Sequence, residues 1–385
     1  MYKRRLVFWS ACLGMLLFGI VLITLGSVAP DLKVKLQLNE ISSGALFSIL
    51  PFGILAGSLL FGPVADKYGY RILMSVSCVL MFAGFEGIAY SRSQGILKIF
   101  IFLTGLGGGA INGATNALVS DISDKDKGAN LSLLGVFFGI GALGMPLLLG
   151  IIEKRTSFEV IVSMVGGLAL LAGLIYMLTG FPPPKQAQGI PLKRIFEIIK
   201  DKFLLLISFF LFFQSSFEGI INNWTTSYLM DQVSVPQNKA LFALSSFVAG
   251  MAIMRLLTGT IFREVHVKKI LLASFSIILA SLLLIKAGNS YFPAIAGLLF
   301  LGAGLAGGFP IMLGFIGERF AEHSGIAFSF ALFVGLAGNI LINYLMGIIA
   351  QNFGISNLIT VAFTESIIMI FLCVIIVKRI KNQTE

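Results

Sequence analysis

Twelve apolar runs, each long enough to cross a bilayer, leave this chain few ways to fold. They cover residues 6–29, 44–61, 72–90, 96–119, 129–151, 159–181, 203–229, 239–261, 268–287, 292–316, 325–349 and 355–377. A helix needs about 20 apolar residues to cross the hydrocarbon core, so the expected fold class is an all-α membrane protein with twelve transmembrane helices. Composition points the same way: 57% of the residues are hydrophobic and 12% are charged, where a soluble domain carries roughly 25% charged residues. Glycine is abundant, at 43 residues, as expected where helices approach closely in lipid.

Charge sets the direction. With the N-terminus in the cytosol, nineteen Lys and Arg residues fall in inside segments and eight in outside segments, while Arg255 lies within the eighth span. That bias places both termini in the cytosol and the spans in a cell (inner or plasma) membrane. A net charge of +10 would suggest nucleic acid for a soluble protein; here it orients the chain, and no nucleic-acid partner is expected. Lys3, Arg4 and Arg5 precede the first run as in a signal peptide, but the run exceeds the roughly 7–15 residues of a signal core and reads as a retained span. Cys12, Cys78 and Cys373 fall inside apolar runs without ligand spacing, so neither a disulfide framework nor a metal site is implied.

The longest polar stretch, "PPPKQAQGIPLKRIFEIIKDK" at 182–202, opens on three prolines that stop the sixth span. It continues as a short basic amphipathic helix, with Ile195, Phe196, Ile198 and Ile199 among Lys193, Arg194, Lys200 and Lys202. A shift of 197 residues lays the second span on the eighth: Gly53 meets Gly250, Leu59 meets Leu256, Leu60 meets Leu257, Gly62 meets Gly259 and Arg71 meets Lys268. Repeated halves mark secondary transporters. The expected organisation is therefore a six-helix bundle over 1–181, a cytosolic linker over 182–202 and a second, pseudo-symmetric six-helix bundle over 203–385.

Between the second and third spans stands "GPVADKYGYRIL", with Gly62, Asp66, Lys67, Gly69 and Arg71. As chemistry alone this is a charged turn in which Gly69 supplies a positive φ. It also resembles the signature loop of the major facilitator superfamily. In that family the acidic residue and its basic partner latch the cytosolic side when the cavity opens outward, which the resemblance assigns to Asp66 and Arg71, with Gly62 as the close-packing point. Arg263 stands where the repeat would place a second copy of Asp66. A narrower set is similar to the fucose–galactose–glucose:proton symporter family: Asn116 and Asp121, then Gly141, Ala142 and Pro146; Glu218 followed by Trp224 and Tyr228; Arg255; Phe309 and Pro310 before "GERFAEHSGIAFS". The pattern departs from that family where Met145 separates Gly144 from Pro146 and where Asn343 replaces a frequent proline, and the fourth span lacks the intramembrane arginine common in other proton-coupled branches of the superfamily.

One stretch of the seventh span, "FQSSFEGIINNWTTSYL" at 213–229, concentrates polar side chains in oil. A charge at mid-bilayer costs roughly 2.5–3.5 kcal/mol on insertion scales, and a buried carboxyl tends to take a proton. Glu218 is thus a candidate proton carrier; the structural alternative is a protonated glutamate holding helices together. Glu86 on the third span is the runner-up for proton coupling, and Glu365 on the twelfth is structural or lipid-facing. Arg255 pairs with a carboxylate or substrate, or snorkels to the surface.

Asn112 and Asn116, Gln214, Glu218 and Asn222, and Asn339 and Asn343 form same-face polar ladders at four-residue spacing. With Trp224 the amides are the candidate ligands for a neutral polyol; the alternatives are interhelical glue for the amides and an interfacial aromatic for Trp224. The glycine runs at 105–110 and 302–308 lack the lysine of a phosphate loop and read as helix packing. His266 and His323 sit in or beside cytosolic loops, and no enzyme site emerges. The expected function is proton-coupled symport of a sugar or related small neutral solute by alternating access. The alternative is proton-coupled efflux of an amphipathic drug or metabolite. No cofactor is expected; the partners are the solute, protons and the bilayer, and the chain acts as a monomer.

Overall fold

The computed structural model describes residues 2–123, 127–152, 155–183, 197–262, 265–288, 290–320 and 324–384. Most of the expected amphipathic linker helix lies outside these residues, as do Arg263 and His323. Everything regular among the described residues is helical. Eleven helices are long and apolar enough to cross a membrane. One of them, Glu40–Tyr90, has 51 residues and would run roughly 75 Å at about 1.5 Å per residue, more than twice a hydrocarbon core of about 30 Å. It is two spans, broken at Gly69 (φ 80°, ψ 162°), so twelve traverses result. The second span extends beyond its expected end at 61, because the charged segment up to Tyr68 stays helical and Gly69 alone makes the turn. Side-chain-bearing residues avoid that conformation, so glycine is required there.

The tenth span differs from expectation in the other direction. It is interrupted, with one helix over Tyr291–Leu305 and another over Gly308–Arg319. The first span, Arg4–Ser27, leads directly into a short helix, Ala29–Leu36, that begins with Pro30 near its N-terminus.

The chain divides into two compact units, Met1–Ala187 and Gln188–Glu385. In the first, spans two and three both pack on four; three packs on six, and one on five and four. In the second, span seven packs on eleven and twelve, eight on ten, and nine on ten and twelve. Glycine makes the tightest crossings. A Cβ on Gly105 would lie 3.0 Å from the Ile54 N and closer still to the Leu50 carbonyl. A Cβ on Gly302 would lie 3.0 Å from the Met251 N and closer still to the Phe247 carbonyl. Every residue of the second set is the first shifted by 197, so the sequence repeat is also a repeat of contacts. The glycine runs thus serve backbone-to-backbone approach, as small residues do in lipid.

Large apolar side chains face outward, among them Leu178, Leu272, Phe292 and Phe371. Such exposure would be a liability in water and is what a lipid-facing surface requires. The twelfth span shows both faces: Ile367, Phe371 and Val374 are exposed, while Glu365, Met369, Cys373 and Ile376 are buried.

Gly302→Val should lower the thermal unfolding midpoint of the purified protein, by a loss of roughly 1–3 kcal/mol typical of overpacking. Gly144→Ala, where an added Cβ meets nothing within 4 Å, should leave the midpoint unchanged. Equal midpoints for both variants would contradict the packing described.

Candidate functional site

The seventh span, Lys202–Gln232, begins at Asp201, whose carboxylate accepts from the N–H groups of Phe203 (2.8 Å) and Leu204 (3.1 Å). Arg319, in the last turn of the tenth span, donates to the other carboxylate oxygen at 3.1 Å and stacks on Phe203 at 5.0 Å. Partial burial pushes the Asp201 carboxyl up, but the Leu204 N–H, the Arg319 guanidinium and the Phe203 N–H outweigh it and hold it below the ordinary carboxylate range. Sequence reasoning missed this junction, although an aspartate directly before an apolar run is an N-cap signal.

From there each polar residue of the span meets a different neighbour. Gln214 is 2% exposed and donates its amide N–H to the Leu305 carbonyl at 3.0 Å, at the interruption of the tenth span. A helix end leaves carbonyls without intrahelical donors, and Gln214 supplies one. Ser216 donates to Glu365 on the twelfth span. Glu218 is half-buried, and Arg255 on the eighth span is close enough to act on it electrostatically. Of the two readings left open for Arg255, the structure therefore brings it toward the carboxyl.

The Ser215 carbonyl accepts from Asn339 at 3.0 Å, Asn339 Oδ1 accepts from Asn343 at 2.9 Å, and Asn343 Oδ1 accepts from Asn223 at 3.1 Å. Gly219 lets this ladder in, since a Cβ there would sit 2.6 Å from the Asn339 amide. Asn343 is 0% exposed. Of the two readings of Asn339 and Asn343, ligands or interhelical glue, this geometry is that of glue: their amides join spans seven and eleven.

Trp224 is 1% exposed. It is neither an interfacial aromatic nor an open stacking platform in this conformation. Asn222 keeps a buried amide oxygen without a hydrogen-bond partner, and so does Gln214. Thr226, one turn beyond Asn222, has a hydroxyl in the same condition.

In the first unit, Asn112 is half-buried and Asn116 exposed. Asn116 donates to Asn112 Oδ1 at 3.1 Å and approaches Met15 of the first span at 3.9 Å. Glu86 lies elsewhere in this unit, in the seam of spans three and six, where Ser163 donates to it at 2.7 Å. Glu365 is not lipid-facing; it is 3% exposed.

Asp66, Lys67 and Arg71 are exposed, no ion pair joins Asp66 to Arg71, and a Cβ on Gly62 would meet nothing within 4 Å. Asp66 and Lys67 stand on the exposed last turn of the second span, and Arg71 follows the break at Gly69. The neighbouring Tyr70 instead donates to Asp121 of the fourth span at 3.0 Å, with Asp66 close enough to act on it. Lys67 lies over the Tyr68 ring at 5.1 Å. Beside the short helix after span one, Lys35 bonds Glu159 of span six at 3.0 Å and the Ala89 carbonyl ending span three. No local pattern announces a contact between residues so far apart in the chain.

Two repeated bundles of membrane spans, the second with a carboxyl, a guanidinium and unspent amide oxygens on its helices, have the build of a membrane transporter. The sequence model of the Major Facilitator Superfamily matches residues 11–285, and the chain belongs to that superfamily. It is 24% identical over 341 residues to the glucose/mannose transporter GlcP of Bacillus subtilis (strain 168), covering 86% of this chain and 84% of that one. It is 25% identical over 192 residues to the multi-drug resistance efflux pump PmrA of Streptococcus pneumoniae, covering 49% and 48%. The crystal structure of a D-xylose–proton symporter superposes with a TM-score of 0.81 at 13% identity, over 95% of this chain and 96% of that one. The protein is accordingly a multi-pass integral protein of the bacterial cell membrane.

Asn223→Ala and Asn343→Ala should each destabilise the protein, and the double variant should fall short of their sum by about 0.6 kcal/mol, the mean for bonds between membrane helices. Full additivity in the double-mutant cycle would remove the ladder. Asp201→Asn should cost stability at neutral pH. Because the folded carboxyl sits below its unfolded value of about 3.9, that difference is present above pH ~4 and is lost as pH falls through the lowered folded value. Thermal unfolding of both proteins across this range tests the sign.

Proposed function

We propose that this transporter carries a sugar or related small neutral polar solute inward with protons, by alternating access. The observation that supports this most is the face of the seventh span formed by Gln214, Glu218 and Asn222. Its amide oxygens on Gln214 and Asn222 are unspent acceptors, which suit hydroxyl donors, and Glu218 between them has Arg255 as its counter-charge. A buried acceptor without a donor is costly, so a hydroxyl that supplies one binds favourably. Asn112 and Asn116 offer the same chemistry on the first unit. The likeness to a glucose/mannose transporter across most of both chains supports a sugar.

Glu218 is the proton carrier in this reading. Protonated, it is neutral and Arg255 is released from it; deprotonated, it is held by the guanidinium. Charge on the carboxyl thus changes with access to either side of the membrane. Glu86, bonded to Ser163, stands as a structural group. Both termini lie in the cytosol, following the distribution of lysine and arginine, and the monomer is the working unit. A second reading, proton-driven efflux of an amphipathic compound, is favoured by the half-length likeness to an efflux pump.

In proteoliposomes, a sugar should make the outside medium more alkaline as it enters with protons. Acidification driven by an amphipathic drug, with no response to any sugar, would favour efflux instead. Glu218→Gln should retain counterflow exchange while abolishing gradient-driven accumulation, and accumulation that survives the change would rule out Glu218 as carrier.

A further inference from the structure

Glu365 is absent from the coupling scheme above, yet it lies deep within the second unit. It projects from the inward face of the twelfth span with Met369 and Cys373, and is 3% exposed. Its Oε1 accepts from the hydroxyl of Ser216. The same hydroxyl oxygen lies 3.0 Å from the Phe213 carbonyl, an acceptor in its own helix. A serine hydroxyl has one proton to give. With Glu365 ionised, Ser216 faces two oxygens that only accept, and one of the two contacts has no hydrogen in it. With Glu365 protonated on Oε1, the count closes: the carboxyl donates to Ser216 Oγ, and Ser216 donates to Phe213.

The other carboxyl oxygen supports the same assignment. Glu365 Oε2 is buried without a hydrogen-bond partner. In a carboxylate it would carry half a negative charge with no donor; in an acid it is a neutral carbonyl, which is far less costly to bury. Neighbouring charges do not help an anion. On span seven, Glu218 is two residues from Ser216 and within electrostatic reach of Arg255. Span nine carries Lys268, Lys269 and Lys286 at its two ends, span twelve itself adds Cys373, and span eleven offers no charged side chain between Ile326 and Phe353. Among the described residues no charge acts electrostatically on Glu365.

We propose that Glu365 is a second proton-binding site, loaded in this conformation and bracing span twelve against span seven. Removing its proton leaves an anion with one donor at most, so unloading requires the seam between the two spans to loosen and admit water. The site is independent of the solute and of whether Glu218 couples transport.

Infrared spectroscopy of the full-length protein in lipid vesicles at neutral pH tests this. The spectrum should contain the C=O band of an un-ionised carboxyl, in the range of a carbonyl that accepts no hydrogen bond. Glu365→Gln should remove the band, Glu218→Gln should keep it, and Ser216→Ala should shift it without removing it. Raising the pH should abolish the band and, in parallel, speed deuterium exchange in peptides from 203–229; in Glu365→Gln that acceleration should be missing. Identical carboxyl bands in the parent and Glu365→Gln would overturn the proposal. If Glu365→Gln does not fold, a band unmoved by Ser216→Ala would overturn it equally. Loss of gradient-driven transport in Glu218→Gln bears on the carrier alone and leaves this band in place.

Discussion

Helices in lipid gain nothing from hiding apolar surface against one another, because the surrounding tails are as apolar as leucine. What holds them is close approach and the few hydrogen bonds that approach permits. This protein meets the first need with glycines at matched positions. Gly53 and Gly105 bring spans two and four to backbone contact, and Gly250 and Gly302 do the same for spans eight and ten. The pairs obey one offset, so the same solution was used twice in one chain. An added methyl at these crossings has no lipid to escape into, only a carbonyl on the facing helix.

The second need is met largely by one helix. Span seven reaches span ten through Gln214, span eleven through Ser215 and Asn223, and span twelve through Ser216, and it brings Glu218 within electrostatic reach of Arg255 of span eight. Successive positions on a helix are about 100° apart, so adjacent polar residues necessarily address different neighbours. A polar run that looks like a single site in one dimension is therefore a distributor in three. Left over on this helix are Glu218 and the two buried amide oxygens on its face, which have no hydrogen-bond partner.

Much of this was legible beforehand. Apolar length gave twelve spans, and glycine content foretold their close crossings. The amide ladder Asn339–Asn343 was recognised as a pair, but its partner Asn223 was not. Four-residue spacing identifies residues that share a face without saying what the face meets. Gly69 was readable as the turn, whereas the helical course of Asp66 and Lys67 was not: charged residues at a membrane edge are as compatible with a solvated helix end as with a loop. The interruption of span ten was also hidden. Its glycines at 302, 304, 307 and 308 serve packing as readily as breakage, and only Gln214, some ninety positions away, distinguishes the two. For Glu365 the sequence leaves a structural and a lipid-facing reading open, because a helix's apolar length does not reveal which of its faces a given residue occupies; its burial decides for the first.

The interruption at Leu305 has a mechanical meaning. In an unbroken helix every internal carbonyl takes its donor from the next turn, so the rod is held together by itself. Here one carbonyl takes its donor from a side chain on another rod. Were span seven to slide along its axis by a single turn, Gln214 would leave Leu305 behind, and a bare carbonyl in hydrocarbon costs several kcal/mol. The two spans are thereby geared: the tenth cannot shift at Leu305 without either carrying the seventh along or stranding that carbonyl.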